Sequence, residues 1–365
     1  MNAFFTTIVM LTIVESAFAA CPTPDAPPAA RPLRFVSFNV LHGGMSSGLW
    51  GDGERLEDRL DATTDGLRSL DADVIGLQEA SRGWRRGNVA ERIGTALGFE
   101  SVDAGATSRL FGGSLLGFLS SVVLALDEGP AIVSRYPIAH STTWLLAQCH
   151  TFYRRVLLCA EVCTPWGAVQ VCSTHLNGSA CQAASVDAHL RTLLGDVPVV
   201  LMGDLNATED TDGLRLLRER SRFIDTFRVA NPTVPGFTDD QELDVERSTV
   251  AERADYVLVA PGHGSSSLVV ASRIVLDRPV RSPDGGLLWT SDHYGVLSDV
   301  ALFGPVIAPA PITPPRAVEA PAREASACGP AATPRSAAGR GGSTRDAASC
   351  SPRDTAARAR PRPPA

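Results

Sequence analysis

Between residues 33 and 303, short apolar runs alternate with segments whose apolar side chains recur every three or four positions. Residues 33–40 (LRFVSFNV) read as an apolar, β-rich strand. In residues 54–70, Leu56, Leu60, Thr63, Thr64, Leu67 and Leu70 stand near helical spacing with charges between them, which predicts an amphipathic helix. The same reasoning predicts helices over 89–97, 182–194 and 214–220, and strands over 73–77, 131–134, 197–202, 254–259 and 294–302. Residues 154–162 and 168–174 read as two strands joined by the turn Thr164-Pro165-Trp166-Gly167. Helices alternating with strands, plus one hairpin, predict a mixed α/β layered domain without internal repeats. The glycine-rich apolar stretch 110–126 is read as core packing rather than a surface hairpin or membrane-contacting loop.

The two ends differ from this body. Residues 3–14 are almost wholly apolar, and Ala17-Phe18-Ala19-Ala20 follows, so residues 1–20 resemble a secretory signal peptide with an A-x-A cleavage site. The apolar run is shorter than the ~20 residues a membrane-spanning helix needs. Cys21 directly after this segment also resembles a lipoprotein signal, which makes lipid anchoring through Cys21 the lesser reading. Residues 21–32 then form a linker. Residues 304–365 hold no aromatic residue, Leu or Met and carry 12 of the 26 prolines, so they read as a disordered tail.

Charge and cysteine content narrow the chemistry. All 33 basic residues are arginine, which excludes Schiff-base lysine catalysis and a Walker-type phosphate loop. The net charge of −7 divides into −12 for residues 1–303 and +5 for residues 304–365. An acidic body disfavours a broad nucleic-acid surface and is compatible with bound divalent cations. Five of the eight cysteines fall within residues 149–181 without CxxC spacing, so a structural zinc site is not expected. Export would permit disulfides. A symmetric hairpin places Cys159 opposite Cys172, close enough to bridge.

The polar residues at the strand ends repeat one theme. The strands end in Asn39, in Gln78-Glu79, in His175 and in Asp204-Leu205-Asn206; a later strand opens at Asp255, and Ser291-Asp292-His293 precedes the last. Any one of these alone reads as a turn or cap. Loops beyond strand ends form the ligand crevice of open α/β sheets, so together these groups would make an acidic, metal-binding pocket.

The ordered set Ser37-Phe38-Asn39-Val40, Gly76-Leu77-Gln78-Glu79, Ile132-Val133-Ser134-Arg135-Tyr136-Pro137, Ser173-Thr174-His175-Leu176, Gly203-Asp204-Leu205-Asn206, Asp255-Tyr256 and Ser291-Asp292-His293 resembles the endonuclease/exonuclease/phosphatase superfamily. The resemblance covers roughly residues 33–303. It implies an α/β fold of two mixed β-sheets packed face to face with helices on both outer sides, a four-layer sandwich. It also implies hydrolysis of phosphoester bonds with Mg²⁺ or Mn²⁺. By motif, Asn39, Glu79 and Asp292 would meet the metal. Asp204 would orient or deprotonate the attacking water, and Asn206 would hold a phosphate oxygen. His293 would act as general base with Asp255 fixing its tautomer, and a protonated His175 would stabilise the transition state. Whether Asp204 or His293 is the base stays open.

Substrate classes separate on small differences. Ala207-Thr208 after the Gly-Asp-x-Asn motif departs from inositol-polyphosphate phosphatases, and Leu41 departs from abasic-site endonucleases. Thr174-His175 is similar to sphingomyelinases and deoxyribonuclease I. Asn39-Val40-Leu41-His42-Gly43-Gly44 resembles a group of bacterial, often exported members; His42 could reach the site, with a loop hydrogen bond as the first expectation. Arg82, Arg154 and Arg155 are candidate phosphate contacts. The expectation is a secreted or cell-envelope, monomeric phosphodiesterase, possible contact with a membrane surface included. A sphingomyelinase-like phospholipase acting on head groups stands ahead of a deoxyribonuclease I-like endonuclease acting on nucleic acid. An inactive hydrolase frame used as a surface binding module is the alternative from another class. Peptide mapping of the unreduced protein is expected to find Cys159 joined to Cys172; two free thiols would refute the hairpin register.

Overall fold

The computed structural model describes residues 21, 31–42, 53–83, 87–106, 127–149, 154–263 and 267–302. The signal-peptide segment 1–20, most of the linker, the stretch 110–126 and the tail 304–365 lie outside the described residues. In chain order the main elements are β1 (Leu33–Asn39), α1 (Leu56–Leu70), β2 (Val74–Gln78), α2 (Val89–Leu97), β3 (Glu100–Asp103), β4 (Ala131–Ser134), β5 (Ile138–Leu145), β6 (Val156–Thr164) and β7 (Gly167–His175). There follow α3 (Ala180–Leu193), β8 (Val199–Asp204), α4 (Asp212–Arg220), β9 (Ile224–Asp225), α5 (Thr226–Ala230), β10 (Asp255–Ala260), β11 (Leu268–Val275) and β12 (Gly295–Ala301).

Two six-stranded mixed sheets result. One has the order β11-β12-β1-β2-β4-β3 and the other β9-β10-β8-β7-β6-β5. The central strands are buried on both faces, which is why they are continuous apolar runs in sequence. Alternation along them sorts side chains into layers. Phe35, Val74, Ile132, Val171, Val200, Met202 and Val257 fill the space between the sheets. Val36, Phe38, Ile75 and Leu77 face the other way, onto Leu56, Leu60 and Leu67 of α1 and Ile93 of α2. On the second sheet Leu157, Val199, Leu201 and Leu258 meet Val186 and Leu190 of α3 and Leu214 and Leu217 of α4. The expected four-layer sandwich is therefore the observed one.

Strands β3, β5 and β11 were not legible in the sequence. Each lies at a sheet edge or next to exposed positions, and none is a continuous apolar run. The first helix begins at Leu56 rather than at residue 54, because Glu54 and Arg55 have left-handed backbones (φ 54° and 57°). Helix α2 is capped by the Asn88 side chain, which accepts from the amides of Ala90 and Glu91, and by Gly98 at its other end.

The hairpin of β6 and β7 has the expected register. Cys159 faces Cys172, and the two form a disulfide with Cα atoms 4.0 Å apart. Two further disulfides join Cys149 to Cys181 and Cys21 to Cys163. The last corrects the lipid-anchor reading: the Cys21 sulfur bridges to β6, so it carries no thioether-linked lipid. Three disulfides are consistent with an extracellular protein. No helix among the described residues is long and apolar enough to cross a membrane.

The sheets approach closely at Gly76. A Cβ there would lie 2.7 Å from Cβ and 2.8 Å from Cε of Met202 on the facing sheet. Gly76→Ala is expected to lower stability by about 1–3 kcal/mol through overpacking, measured by urea unfolding monitored by circular dichroism.

Candidate active site

Strand pairing brings the polar strand ends to one place. Asn39 at the end of β1 pairs with Gln78 of the parallel strand β2, and Glu79 follows directly. His175 at the end of β7 pairs with Asp204 at the end of the parallel strand β8. Asp255 opens β10, which runs antiparallel to β8, so it also stands beside Asp204. His293 precedes β12, which runs antiparallel to β1. Just past these ends the backbone turns sharply: Leu41, Glu79 and Asn206 all have positive φ, at 51°, 53° and 48°. Such backbones cost energy in non-glycine residues and cluster where side chains must be aimed.

Asp204 is at the centre of one group. Its Oδ2 accepts from the Asn39 amide at 3.1 Å, across the gap between the sheets. The same oxygen lies 3.3 Å from His175 Nε2 and 3.7 Å from His293 Nε2. His293 Nδ1 is 2.9 Å from Asp255 Oδ2, and its Nε2 is 3.3 Å from Asp239 Oδ1. The Asn206 backbone amide donates to Asp204 Oδ1, and its side chain lies 3.1 Å from His175 Nε2. Arg155 stands 3.1 Å from His175 Nδ1. A guanidinium can only donate, so Nδ1 is the acceptor toward Arg155, while Nε2 faces both the Asn206 NH₂ and the Asp204 carboxylate.

Glu79 is at the centre of the adjoining group. Its Oε1 accepts from Asn39 Nδ2 at 3.3 Å and lies 3.9 Å from His175 Nδ1. Its Oε2 accepts from the His42 backbone amide at 3.1 Å and also contacts the His42 ring nitrogen Nδ1. That nitrogen is 3.1 Å from Glu128 Oε2. Glu128 Oε1 is 3.8 Å from Arg155. Asp292 accepts from Ser291 at 3.2 Å.

The electrostatics follow from burying this many charges together. Burial pushes Asp204 up to about 7; the imidazole of His293 opposes the rise and Asp255 reinforces it. Burial alone would lower His293, but the carboxylates of Asp255, Asp204 and Asp292 outweigh it and hold the ring well above its usual range. Burial lowers His175 well below the imidazole range, and Arg155 adds to that. Burial raises Asp292 to about 6, with Glu79 contributing. Burial also opposes ionisation of Glu79 and of His42, yet their mutual contact wins: Glu79 falls and His42 rises to about 9.

Asn39, Glu79, His175, Asp204, Asn206, Asp255 and His293 thus stand together, with Arg155 beside them and Asp292 close enough to feel Glu79 and His293. Three expectations change. Burial and the neighbouring Arg155 disfavour the protonated His175 that was expected. Asn39 receives the Leu41 amide on its oxygen and presents its NH₂ to Glu79 and Asp204, so it bridges two carboxylates as a donor. Arg82 turns away: its guanidinium forks onto Asp103 at 2.8 Å. Arg154 makes none of the contacts described for the cluster. Glu128 and Asp239 were missed, and His42 takes the second of its two expected places. His42 reaches both glutamates instead of closing a loop. Glu128 precedes β4, whose start lies beside the end of β2 because the two are antiparallel. Reading strand beginnings as well as strand ends would have found it. Asp239 sits in the long connection between α5 and β10, where no periodicity marks it.

A four-layer α/β sandwich that gathers carboxylates, imidazoles and amides at one edge of its sheets is the architecture of phosphoester hydrolases that work with a divalent metal. The family model described as the Endonuclease/Exonuclease/phosphatase family matches residues 36–293, and the chain belongs to that family. Its members hydrolyse phosphoester bonds. The fold is similar to that of a mannosyl-6-phosphatase from Bacteroides thetaiotaomicron (18% identity, TM-score 0.57, covering 73% of this chain and 99% of that one). It is also similar to the human Nocturnin catalytic domain (16% identity, TM-score 0.54, 75% and 95%) and to D. rerio TDP2 solved with a single-strand DNA product (18%, 0.51, 73% and 98%). No curated protein sequence matches the chain.

The His42–Glu79 contact makes a signed pH prediction for protein stripped of metal with EDTA. The folded state raises His42 from 6.5 to about 9, so the stability this pair contributes is fully present below pH 6.5 and is lost as pH rises through 9. Thermal melting of the stripped protein is expected to fall across that window, and His42→Ala to remove the slope.

Proposed function

We propose that the protein is a secreted phosphodiesterase that requires Mg²⁺ or Mn²⁺, with phospholipid head groups as its preferred substrate. The observation that carries this is Asp204, one buried carboxylate placed within hydrogen-bond or near-contact range of Asn39, His175 and His293. Glu79 and Asp292 supply the anionic oxygens that suit a hard divalent cation. Such an ion, when bound, neutralises charge developing on the phosphoryl oxygens.

The chain's own groups divide the proton chemistry. Asp204, pushed up to about 7, is poised to take a proton from the attacking water near neutral pH. His293, held protonated by Asp255, Asp204 and Asp292, suits donation to the leaving oxygen. Asp255 fixes the ring through Nδ1, which leaves Nε2 facing Asp204 and Asp239. His175, whose charged form burial disfavours, would contribute as a neutral ring, and Arg155 and Asn206, which border it, would hold phosphate oxygens.

The acidic body, −12 over residues 1–303, supports a phospholipid over duplex DNA, since a polyanion would be repelled. The three disulfides and the signal-peptide-like start support export. Glu79→Ala and His293→Ala are each expected to lower turnover of an aryl phosphodiester by at least about 10²–10⁴-fold, with melting behaviour retained, and EDTA to abolish it. Near-normal activity in either variant would sink the assignment. Parallel assays on sphingomyelin vesicles and plasmid DNA are expected to show faster turnover of the lipid; faster cleavage of the plasmid would make the protein a nuclease instead.

A further inference from the structure

We propose that His42 and Glu128 complete, together with Glu79, a three-ligand metal site whose imidazole nitrogen lets it bind a borderline transition cation such as Co²⁺ or Zn²⁺ more tightly than the Mg²⁺ or Mn²⁺ that supports turnover. The proposal rests on the metal-dependent reading above and concerns which residues hold the ion and which ion they select.

The geometry has three parts. His42 Nδ1 contacts Glu79 Oε2 and lies 3.1 Å from Glu128 Oε2. One ligand atom from each residue can be chosen so that all lie within 4.8 Å of one another. The outward oxygens of both carboxylates are held by other groups: Glu79 Oε1 by Asn39 at 3.3 Å and Glu128 Oε1 by Arg155 at 3.8 Å. Supporting contacts of this kind orient ligands and are a regular part of metal centres.

The backbone supports the same arrangement. Leu41 and Glu79 adopt left-handed conformations at the ends of neighbouring strands, and the His42 amide also donates to Glu79 Oε2. Glu128 is held alongside by the bond from the Ala80 amide to the Gly129 carbonyl at 2.9 Å. Three chain segments from one sheet edge are thereby fixed around a common point.

The donor chemistry sets the selection. Mg²⁺ prefers oxygen ligands, keeps several waters and demands octahedral geometry. An imidazole nitrogen beside two carboxylates suits ions later in the Irving–Williams series. The second convergence of possible ligands, Asp204, Asp255 and His293, belongs to the catalytic cluster already described.

The test titrates full-length, EDTA-stripped protein with CoCl₂ and, separately, MgCl₂ by calorimetry, and follows the visible absorption of bound Co²⁺. His42→Ala is expected to weaken Co²⁺ binding at least tenfold and change its absorption bands, while changing Mg²⁺ binding less than threefold. Glu128→Gln is expected to weaken Co²⁺ binding similarly, and it decides the matter by the same criteria if His42→Ala does not fold. Retention of Co²⁺ affinity and absorption in both variants would overturn the proposal. Glu79→Ala separates the two levels. If it abolishes binding of both ions while His42→Ala affects neither, only the ligand assignment fails. If the unsubstituted protein binds neither ion and EDTA leaves its turnover unchanged, the metal-dependent reading fails as well.

Discussion

One hydrogen bond ties the two halves of the molecule together at the site: the Asn39 amide, at the end of β1 in one sheet, donates to Asp204, at the end of β8 in the other. It forms only if the sheets pack face to face in one lateral register. That register is set by the core between them, where Phe35, Ile132, Val200 and Met202 interdigitate and Gly76 leaves room for Met202. Closely packed interiors do not slide continuously, so a core of this kind fixes distances at its rim. A second pair of bonds, between Gln78 and Ser173 and from Ser173 to the Leu77 carbonyl, locks the same edge.

The rim is costly in electrostatic terms. Asp204, Asp255, Asp239, Asp292, Glu79 and Glu128 gather there against the imidazoles of His42, His175 and His293 and the guanidinium of Arg155. Buried carboxylates are tolerated only when hydrogen-bonded or paired. The pairing is uneven, and this is what spreads the proton affinities: Asp204 is raised, Glu79 is lowered, His293 is raised and His175 is lowered. Groups pushed apart in this way take different acid–base roles at one pH. The scaffold carries the load through its apolar layers and through the Cys159–Cys172 disulfide, which lies in the apolar layer that β6 and β7 share with α3.

Much of this was legible in the chain. The central strands announced themselves because both of their faces are buried, so Leu33–Asn39, Val199–Asp204 and Asp255–Ala260 are runs of apolar residues. Their polar ends stood out against those runs, and the convergence of Asn39, Glu79, His175, Asp204, Asp255 and His293 was read from them. The edge strands Glu100–Asp103 and Ile138–Leu145 were not found, because a half-exposed strand has a mixed pattern. Glu128 escaped because it precedes a strand, and Arg82 was misjudged because a local run of arginines says nothing about which carboxylate each one meets.

Local sequence alone determined the alternation of elements, the hairpin register that pairs Cys159 with Cys172, and the residue types available for chemistry. Each of these depends on neighbours a few positions apart, through side-chain periodicity and turn chemistry. Tertiary structure decided that His175 is buried between Arg155 and Asp204, that Asn39 faces the cluster with its amide nitrogen, that Cys21 bridges to Cys163, and that His42 reaches two glutamates. Those outcomes depend on groups tens to hundreds of positions apart, whose burial and mutual distances exist only once the two sheets have closed on each other.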